Sequence, residues 1–334
     1  MDGFTSRFGT RFFVVTLLPN IFLIGYVGFL VATGAPERSP SISRALTVLD
    51  HLTAYSITAM VLAVIIVSIA VHPLQLPLTQ LIEGYWWTLP FGKNFADYAT
   101  RRFRSERARV HSYLDDLPDP VYRDWETRNF SSQAQLRRDW LPESDEDLRP
   151  TDLGNVLWRG ETTAGIRYGL DLNIALPRII PFISDGLLAE LRDRRNQLDA
   201  AVRLCVMAAL ATVASVGLLI RFGPWLFVAV ATYLLSWASY RAAVAAARGF
   251  SIILATVVDL NHLKLYDALS LERPADLGEE ISRNAVLMNL FRGNYLSPAT
   301  KSTLRYVAPA VDTKDDKGDS PATPESSSQG FAGP

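Results

Sequence analysis

The stretch "LCVMAALATVASVGLLIRFGPWLFVAVATYLLSWASY", residues 204 to 240, decides the fold of this chain. It contains one charged side chain, Arg221, which divides it into two apolar runs, 204–220 and 222–240. A bilayer core of ~30 Å requires about 20 helical residues, and the long stems of Arg203 and Arg221 can extend the shorter run to the interface. The stretch therefore predicts two spanning helices joined by a tight outer turn.

Two further charge-free runs, 12–33 and 52–71, lie near the N-terminus. The first is longer than the apolar core of a cleaved signal peptide, which is about 7 to 15 residues, and it is interpreted as an uncleaved anchor. All four runs reach membrane-scale lengths. The predicted fold is an all-α polytopic membrane protein with four transmembrane helices.

The basic residues predict how the chain is oriented in the membrane. The loop between the first two runs offers only Arg38 and Arg44. After the second run come Lys93, Arg101, Arg102, Arg104, Arg107 and Arg109. Lys and Arg near span ends are retained on the cytoplasmic side. The large middle region, and with it both termini, is therefore predicted to be cytoplasmic.

The segment "LIEGYWW", residues 81 to 87, lies between the second run and this arginine-rich region. Amphipathic aromatic rings are enriched at the membrane interface, so Tyr85, Trp86 and Trp87 are predicted to lie at the inner headgroup level. An ordinary buried helix of the cytoplasmic region is the alternative. The arginines that follow could contact anionic lipid or form a solvated, self-paired face. The retention of basic residues on the cytoplasmic side already explains these arginines, so no nucleic-acid partner is predicted.

Helical periodicity extends both C-terminal spans into the cytoplasm. One helix is predicted from Ser184 to Gly217, and the other from Trp225 to about Leu271, a length of roughly 70 Å. Taking the outer turn as the centre of the hairpin places Leu191 opposite Leu254. The predicted units are a transmembrane hairpin 1–72, a cytoplasmic helical region with an interfacial segment 73–183, the long antiparallel transmembrane hairpin 184–271, a cytoplasmic helix 272–310 and a disordered tail 311–334.

Small residues four apart also mark the inner membrane edge, as in Ala243 and Ala247. They allow close helix contact, either within the hairpin or between subunits of a predicted homo-oligomer. Further along the same predicted helix, Asn261 lies at a position that would face a neighbouring helix. A buried Asn261 there would fix the register of the helix pair, while an Asn pointing sideways to water is the alternative.

The chain carries none of the standard catalytic signatures. It has no Gly-x4-Gly-Lys phosphate loop and no Gly-x-Ser-x-Gly elbow, and its four histidines lack zinc-like spacing. The only cysteine, Cys205, excludes an intrachain disulfide and a cysteine-based zinc cluster. No catalytic residue, metal or cofactor is therefore predicted. The span interiors also lack the ionisable residues that coupled transport requires.

The densest polar stretch is 148–181, "LRPTDLGNVLWRGETTAGIRYGLDLNIALPRIIP". Thr151 and Asp171 are predicted helix N-caps. Six polar residues could converge on a site: Asn155, Glu161, Arg167, Tyr168, Asp171 and Arg178. They could equally form a buried polar network that locks the cytoplasmic helices to the hairpin.

Three motifs, "LQLPLTQLIEGYW", "PTDLGNVLWRGE" and "RYGLDLNIALPRIIP", resemble a widespread family of uncharacterised bacterial integral membrane proteins common in actinobacteria. The resemblance covers about residues 70 to 290. This chain has Leu176 where family members usually carry tryptophan before Pro-Arg. The resemblance implies a protein of the bacterial cytoplasmic (inner) membrane and implies no activity.

The leading functional hypothesis is an oligomeric scaffold, sensor or membrane effector that acts through its cytoplasmic helices. Long helices that leave the membrane and the lack of catalytic motifs motivate it. Two alternatives stay open. One is an oligomeric ion-conducting pore lined by Ser and Thr faces, and the other is a membrane-bound enzyme at the inner leaflet.

Overall fold

The computed structural model describes residues 18–51, 53–71, 75–86, 90, 92–117, 125–295, 297 and 303–307. Within these residues the fold is all-α, with twelve α-helices and no strand, which confirms the predicted class. The start of the first apolar run, Trp87 and the predicted tail 311–334 lie outside the described residues. The helices are α1 Leu18–Ala32, α2 Ile42–Asp50, α3 Ala54–Val71, α4 Gln75–Glu83, α5 Gly92–Asp115, α6 Trp125–Asp139, α7 Asp152–Ile166, α8 Leu172–Ile179, α9 Asp185–Leu219, α10 Phe227–Asn261, α11 Lys264–Ala268 and α12 Leu277–Phe291.

The antiparallel pair α9 and α10 forms the central hairpin, closed by a short 3₁₀ turn at Gly223–Leu226. The Arg195 guanidinium lies over the Phe250 ring, 5.5 Å from its centroid. Arg195 is one turn after Leu191, and Phe250 is one turn before Leu254. This contact is therefore the one expected if Leu191 lies opposite Leu254, as the sequence predicts. Leu191 and Leu254 are both buried.

The fourth predicted helix is shorter than its periodicity indicates. α10 ends at Asn261, ten residues before Leu271, and the separate short helix α11 follows. The interruption is a tightening of the helix, because His262 and Leu263 keep helical dihedral angles and the Leu265 and Tyr266 N–H groups donate to carbonyl oxygens three residues before them. At this point the His262 ring stacks on Tyr168 at a centroid distance of 4.0 Å. Asn261 is buried, and its side-chain amide donates to the Val257 carbonyl oxygen of its own helix at 2.8 Å.

Within the described residues, two helical segments are long and apolar enough to cross a membrane, namely Asp185–Leu219 and Gly223–Asn261. Their charge-free parts end at one level. The Thr212 hydroxyl donates to Thr232 Oγ1 at 3.0 Å; Arg203 lies nine residues before Thr212, and Arg241 lies nine residues after Thr232. The two arginines therefore mark the same height on the hairpin.

The apolar helix α1 lies parallel to the half of α9 that leads into the 3₁₀ turn. The Tyr26 and Ser215 hydroxyl oxygens are 2.5 Å apart, and four residues further along each helix Leu30 and Leu219 share a small buried cluster. α3 contacts α1. Six aliphatic side chains of α3 are 43% to 68% exposed, which is a large apolar surface for a single helix.

The other half of the hairpin carries a helical module. α7 runs alongside α10 in the same direction: the Leu153 N–H donates to the Tyr240 hydroxyl at 3.3 Å, and the Tyr168 hydroxyl, beyond the end of α7, donates to Asp259 at 2.9 Å. α5 and α6 pack side by side. α12 contacts α8 at the far end. The main core lies between these helices and the hairpin.

Candidate functional site

The sequence motifs "EGYW" and "PTDLGN" pack directly on each other. α4 ends at Glu83 because Gly84 adopts a positive φ of 94°, a conformation that glycine adopts without steric cost. Gly84 then lies against the Pro150 ring. Gly154, in the first turn of α7, lies so close that a Cβ there would overlap the Glu83 carbonyl oxygen. The two glycines therefore allow α4 to contact the start of α7.

Arg149 is held in place just before α7. The Asn155 side chain accepts from the Arg149 N–H at 2.7 Å and donates to the Arg149 carbonyl oxygen at 3.0 Å. The Arg149 guanidinium stacks on two rings, 5.0 Å from the centroid of Tyr85 and 4.5 Å from that of Trp158. The cation–π contacts and the two hydrogen bonds from the Asn155 side chain to the Arg149 backbone together fix the position of this cation.

A polar cavity of about 500 Å³ opens between α4, α7 and α9 beside this contact. Each of the three helices, and the loop before α7, contributes charged side chains. They are Glu83, Arg149, Glu161, Arg195, Asp199 and Arg203. Arg195 pairs with Asp199 one turn away at 3.2 Å. The cavity thus brings together three parts of the chain that are distant in sequence.

The two glutamates of the cavity have perturbed carboxyl groups. Burial raises the pKa of Glu83 to about 7, an effect opposed by Arg195 and reinforced by Glu161 and Asp199. Burial also raises the pKa of Glu161, against Arg195 and Arg149. Neither carboxyl group accepts a hydrogen bond from the described part of the chain. A buried carboxyl group without a donor favours its protonated form.

The other face of α4 is apolar. There a second cavity of about 490 Å³ is lined by Leu81, Ile82, Trp86, Cys205 and Tyr240, among others. The Trp86 indole N–H donates to the Leu81 carbonyl oxygen at 2.7 Å. α4 is therefore amphipathic, with Glu83 toward the polar cavity and its leucine and isoleucine toward the apolar one.

The "RYGLD" motif belongs to a different contact. The Asn284 side chain, buried in α12, donates to the Tyr168 carbonyl oxygen at 2.7 Å and accepts from the Tyr266 hydroxyl at 2.7 Å. His262 Nδ1 lies 2.6 Å from a carboxyl oxygen of Glu280, whose side chain is also buried. This network attaches α12 to the end of α10.

The six predicted polar residues occupy three settings. Asn155 and Glu161 belong to the cavity and its wall. Arg167 and Tyr168 both contact Asp259 of α10. The other two face α12: Asp171 pairs with Arg292 at 2.5 Å, and Arg178 lies 4.1 Å above the Phe291 ring. The predicted caps are confirmed, because Thr151 accepts from the Gly154 N–H at 3.0 Å and Asp171 from the Asn173 N–H at 3.1 Å.

Sequence reasoning missed most of the cavity. Arg195, Asp199 and Arg203 share one face of α9 at four-residue spacing, but no local pattern connects them with Arg149, which comes from a distant loop. Glu83 is not among the six polar residues that the sequence singles out. A usable signal existed in its position directly before a glycine and an aromatic pair at the end of an apolar helix.

Four of the hydroxyl groups that could line a pore, all of them on α9 and α10, form hydrogen bonds within the described part of the chain. Thr212 bonds to Thr232, Ser215 to Tyr26, and the Ser236 hydroxyl donates to the Cys205 carbonyl oxygen at 3.0 Å. A pore lined by these groups would have to break those bonds.

No group of three or more His, Cys, Asp or Glu side chains in the described residues is arranged to hold a metal ion. Comparison of the chain with protein-family models, curated proteins and solved structures finds no match. The geometry of the chain alone therefore guides the functional proposal.

Proposed function

We propose that this protein is a multi-pass protein of the bacterial cytoplasmic membrane that senses a ligand at the inner face of the bilayer. In this arrangement α1, α3, α9 and α10 contribute four spans, both termini are cytoplasmic, and α5 to α8 and α12 form a cytoplasmic module. The observation that carries the proposal is the position of the polar cavity. It lies directly beside Arg203, where the charge-free part of α9 begins.

Several features support membrane insertion. Two segments have the length and composition of spans. α1 lies beside the charge-free half of α9, and α3 exposes aliphatic side chains that lipid would solvate better than water. The resemblance to actinobacterial membrane proteins stays a prediction and points the same way.

The lining of the cavity supports a sensing role. Glu83 follows the N-terminal pair of predicted spans, Glu161 belongs to the cytoplasmic module, and Arg195 belongs to the C-terminal hairpin. A ligand bound there would contact all three parts, and its occupancy would change their relative stability. Binding can shift a conformational equilibrium only through such differential contacts.

Cysteine labelling in intact cells tests the topology. In a Cys205→Ala background, Glu37→Cys lies in the predicted outer loop and Glu146→Cys in the cytoplasmic module, and both native side chains are exposed. A membrane-impermeant maleimide should label position 37 in intact spheroplasts and position 146 only after lysis. Labelling of position 146 in intact spheroplasts would refute the proposed sidedness.

Oligomerisation is the second part of the proposal. Ile252 and Leu260, two turns apart on the cytoplasmic part of α10, are 59% and 66% exposed. Large exposed apolar side chains on one helix face favour a protein contact. Thr256 lies between them, so Thr256→Cys in the Cys205→Ala background should form a disulfide-linked dimer in oxidised native membranes. Glu146→Cys is the matched control, and equal dimer yields at both positions would contradict the contact.

A membrane-bound enzyme is the second candidate function. The observation that favours it is Glu83, whose pKa of about 7 suits general acid–base catalysis at neutral pH. Incubating the full chain with a bacterial lipid extract and following the products by mass spectrometry tests it. An enzyme should yield a product that Glu83→Gln abolishes and Glu146→Gln does not, whereas an unchanged lipid profile would exclude lipid chemistry.

A further inference from the structure

The polar cavity contains groups of both charge signs that lack a partner in the described part of the chain. The carboxyl groups of Glu83 and Glu161 accept no hydrogen bond there, and no carboxylate lies within ion-pair distance of the Arg149 guanidinium. Their polar atoms are not among the fully buried ones that lack a partner, so a ligand that enters the cavity can reach them. A ligand that offers both a cation and an anion would satisfy the two sets together.

Arg149 is suited to the anionic part of such a ligand. Its backbone is fixed by Asn155, and its guanidinium stacks on Tyr85 and Trp158. Stacking uses the face of the guanidinium and leaves its N–H groups to donate. A planar fork of N–H groups matches the oxygens of a phosphate.

The carboxyl groups are suited to the cationic part. Glu83 and Glu161 both line the cavity although they belong to different helices. An ammonium group has N–H donors to share between them. A quaternary ammonium has none, and the rings that could form an aromatic cage for it already stack on Arg149.

The depth of the cavity matches that of lipid headgroups. Arg203 lines the cavity and directly precedes the charge-free part of α9. If α9 spans the bilayer, the hydrocarbon boundary lies at this residue. The cavity is therefore at the level of the phosphates of the inner leaflet.

We propose that the cavity binds a phosphoethanolamine group, with the ammonium between Glu83 and Glu161 and the phosphate on Arg149. Its source is the headgroup of phosphatidylethanolamine in the inner leaflet. The inference rests on the proposed function, because the depth argument requires that α9 spans the membrane. Free phosphoethanolamine carries the same chemistry, and the experiment separates the two sources.

Native mass spectrometry of the full chain in mild detergent measures the binding. The probes are dioleoyl phosphatidylethanolamine, phosphatidylcholine and phosphatidylglycerol, together with free phosphoethanolamine. We expect phosphatidylethanolamine to bind about tenfold more tightly than phosphatidylcholine, because the quaternary ammonium of phosphatidylcholine cannot donate charge-assisted hydrogen bonds to the two glutamates. The double variant Glu83→Gln with Glu161→Gln should lose this preference, and Glu146→Gln, an exposed position outside the cavity, should keep it.

The pH dependence gives a second measure of the same site. The groups that face the two glutamates are Arg149, Arg195, Asp199 and Arg203. An ammonium ligand requires ionised carboxylates, so its affinity should rise between about pH 5 and about pH 8, as the glutamates lose their protons. A purely anionic ligand bound to the arginines would show the opposite trend.

Several results would overturn the proposal. Equal affinities for phosphatidylethanolamine and phosphatidylcholine would exclude recognition of the ammonium. Tighter binding of phosphatidylglycerol, increasing as the pH falls, would mean an anion site, and free phosphoethanolamine binding as tightly as the lipid would mean a soluble ligand. These comparisons use the wild-type chain and do not depend on whether a variant folds. If the labels at 37 and 146 give the expected topology but the lipid does not bind, only this inference fails.

Discussion

Replacing Gly154 by alanine tests the contact between the two motifs most directly. An added Cβ at this position would overlap the Glu83 carbonyl oxygen, and it would also lie 3.0 Å from the Arg149 Cβ. A backbone oxygen cannot rotate away as a flexible side chain can. The substitution therefore has to displace the end of α4 from the first turn of α7.

The magnitude follows from two opposing effects. Alanine in place of glycine within a helix ordinarily stabilises it by about 0.5–1 kcal/mol, while overpacking costs about 1–3 kcal/mol. Gly186 in the first turn of α9 provides the matched control, because a Cβ there meets nothing within 4 Å. The two variants should therefore differ by about 2 kcal/mol in the free energy of unfolding, with Gly154→Ala the less stable.

Thermal unfolding followed by tryptophan fluorescence provides the assay, since the chain contains 7 tryptophans. Both variants are compared with the wild type in the same detergent at one pH. Gly154→Ala should lower the unfolding midpoint by a few degrees, and Gly186→Ala should leave it unchanged or raise it. If Gly154→Ala unfolds at or above the midpoint of Gly186→Ala, the close contact between α4 and α7 does not exist.

Three further predictions concern stability. The pKa of Glu83 rises from 4.5 to about 7 on folding. The folded state therefore holds more protons in that pH interval, and it becomes less stable as the pH rises through it. In pH-dependent unfolding, Glu83→Gln should be about 1 kcal/mol more stable than the wild type above about pH 8, with the gain absent below about pH 4. Asn284→Ala leaves the buried Tyr266 hydroxyl and the partly buried Tyr168 carbonyl without this partner and should cost about 2 kcal/mol or more by thermal unfolding. Asn289→Ala, at a half-buried position of the same helix whose side-chain hydrogen bonds are exposed to solvent, should cost less. Asn155→Ala frees the backbone of Arg149 and should lower the midpoint while speeding hydrogen–deuterium exchange of the Arg149 N–H, which donates to Asn155 in the wild type.

Some features of this protein depended only on local sequence. The helical class followed from periodicity, and the starts of α7 and α8 followed from Thr151 and Asp171, each of which accepts a hydrogen bond from a residue two or three positions later. The register of the long hairpin also followed once its turn was located. These features could be predicted because each is governed by interactions between near neighbours in the chain or by the symmetry of one hairpin.

Tertiary structure decided where α10 ends and how the polar residues group. Nothing near Asn261 in the sequence marks the change from α-helical to i to i+3 hydrogen bonds there, at the point where His262 packs on Tyr168 and lies 2.6 Å from Glu280. The polar cavity likewise exists only because Gly154 lets the end of α4 approach α7, which places Glu83 beside side chains more than seventy positions later. Such groupings depend on how closely two backbones can approach, and a linear pattern of residue types does not contain that distance.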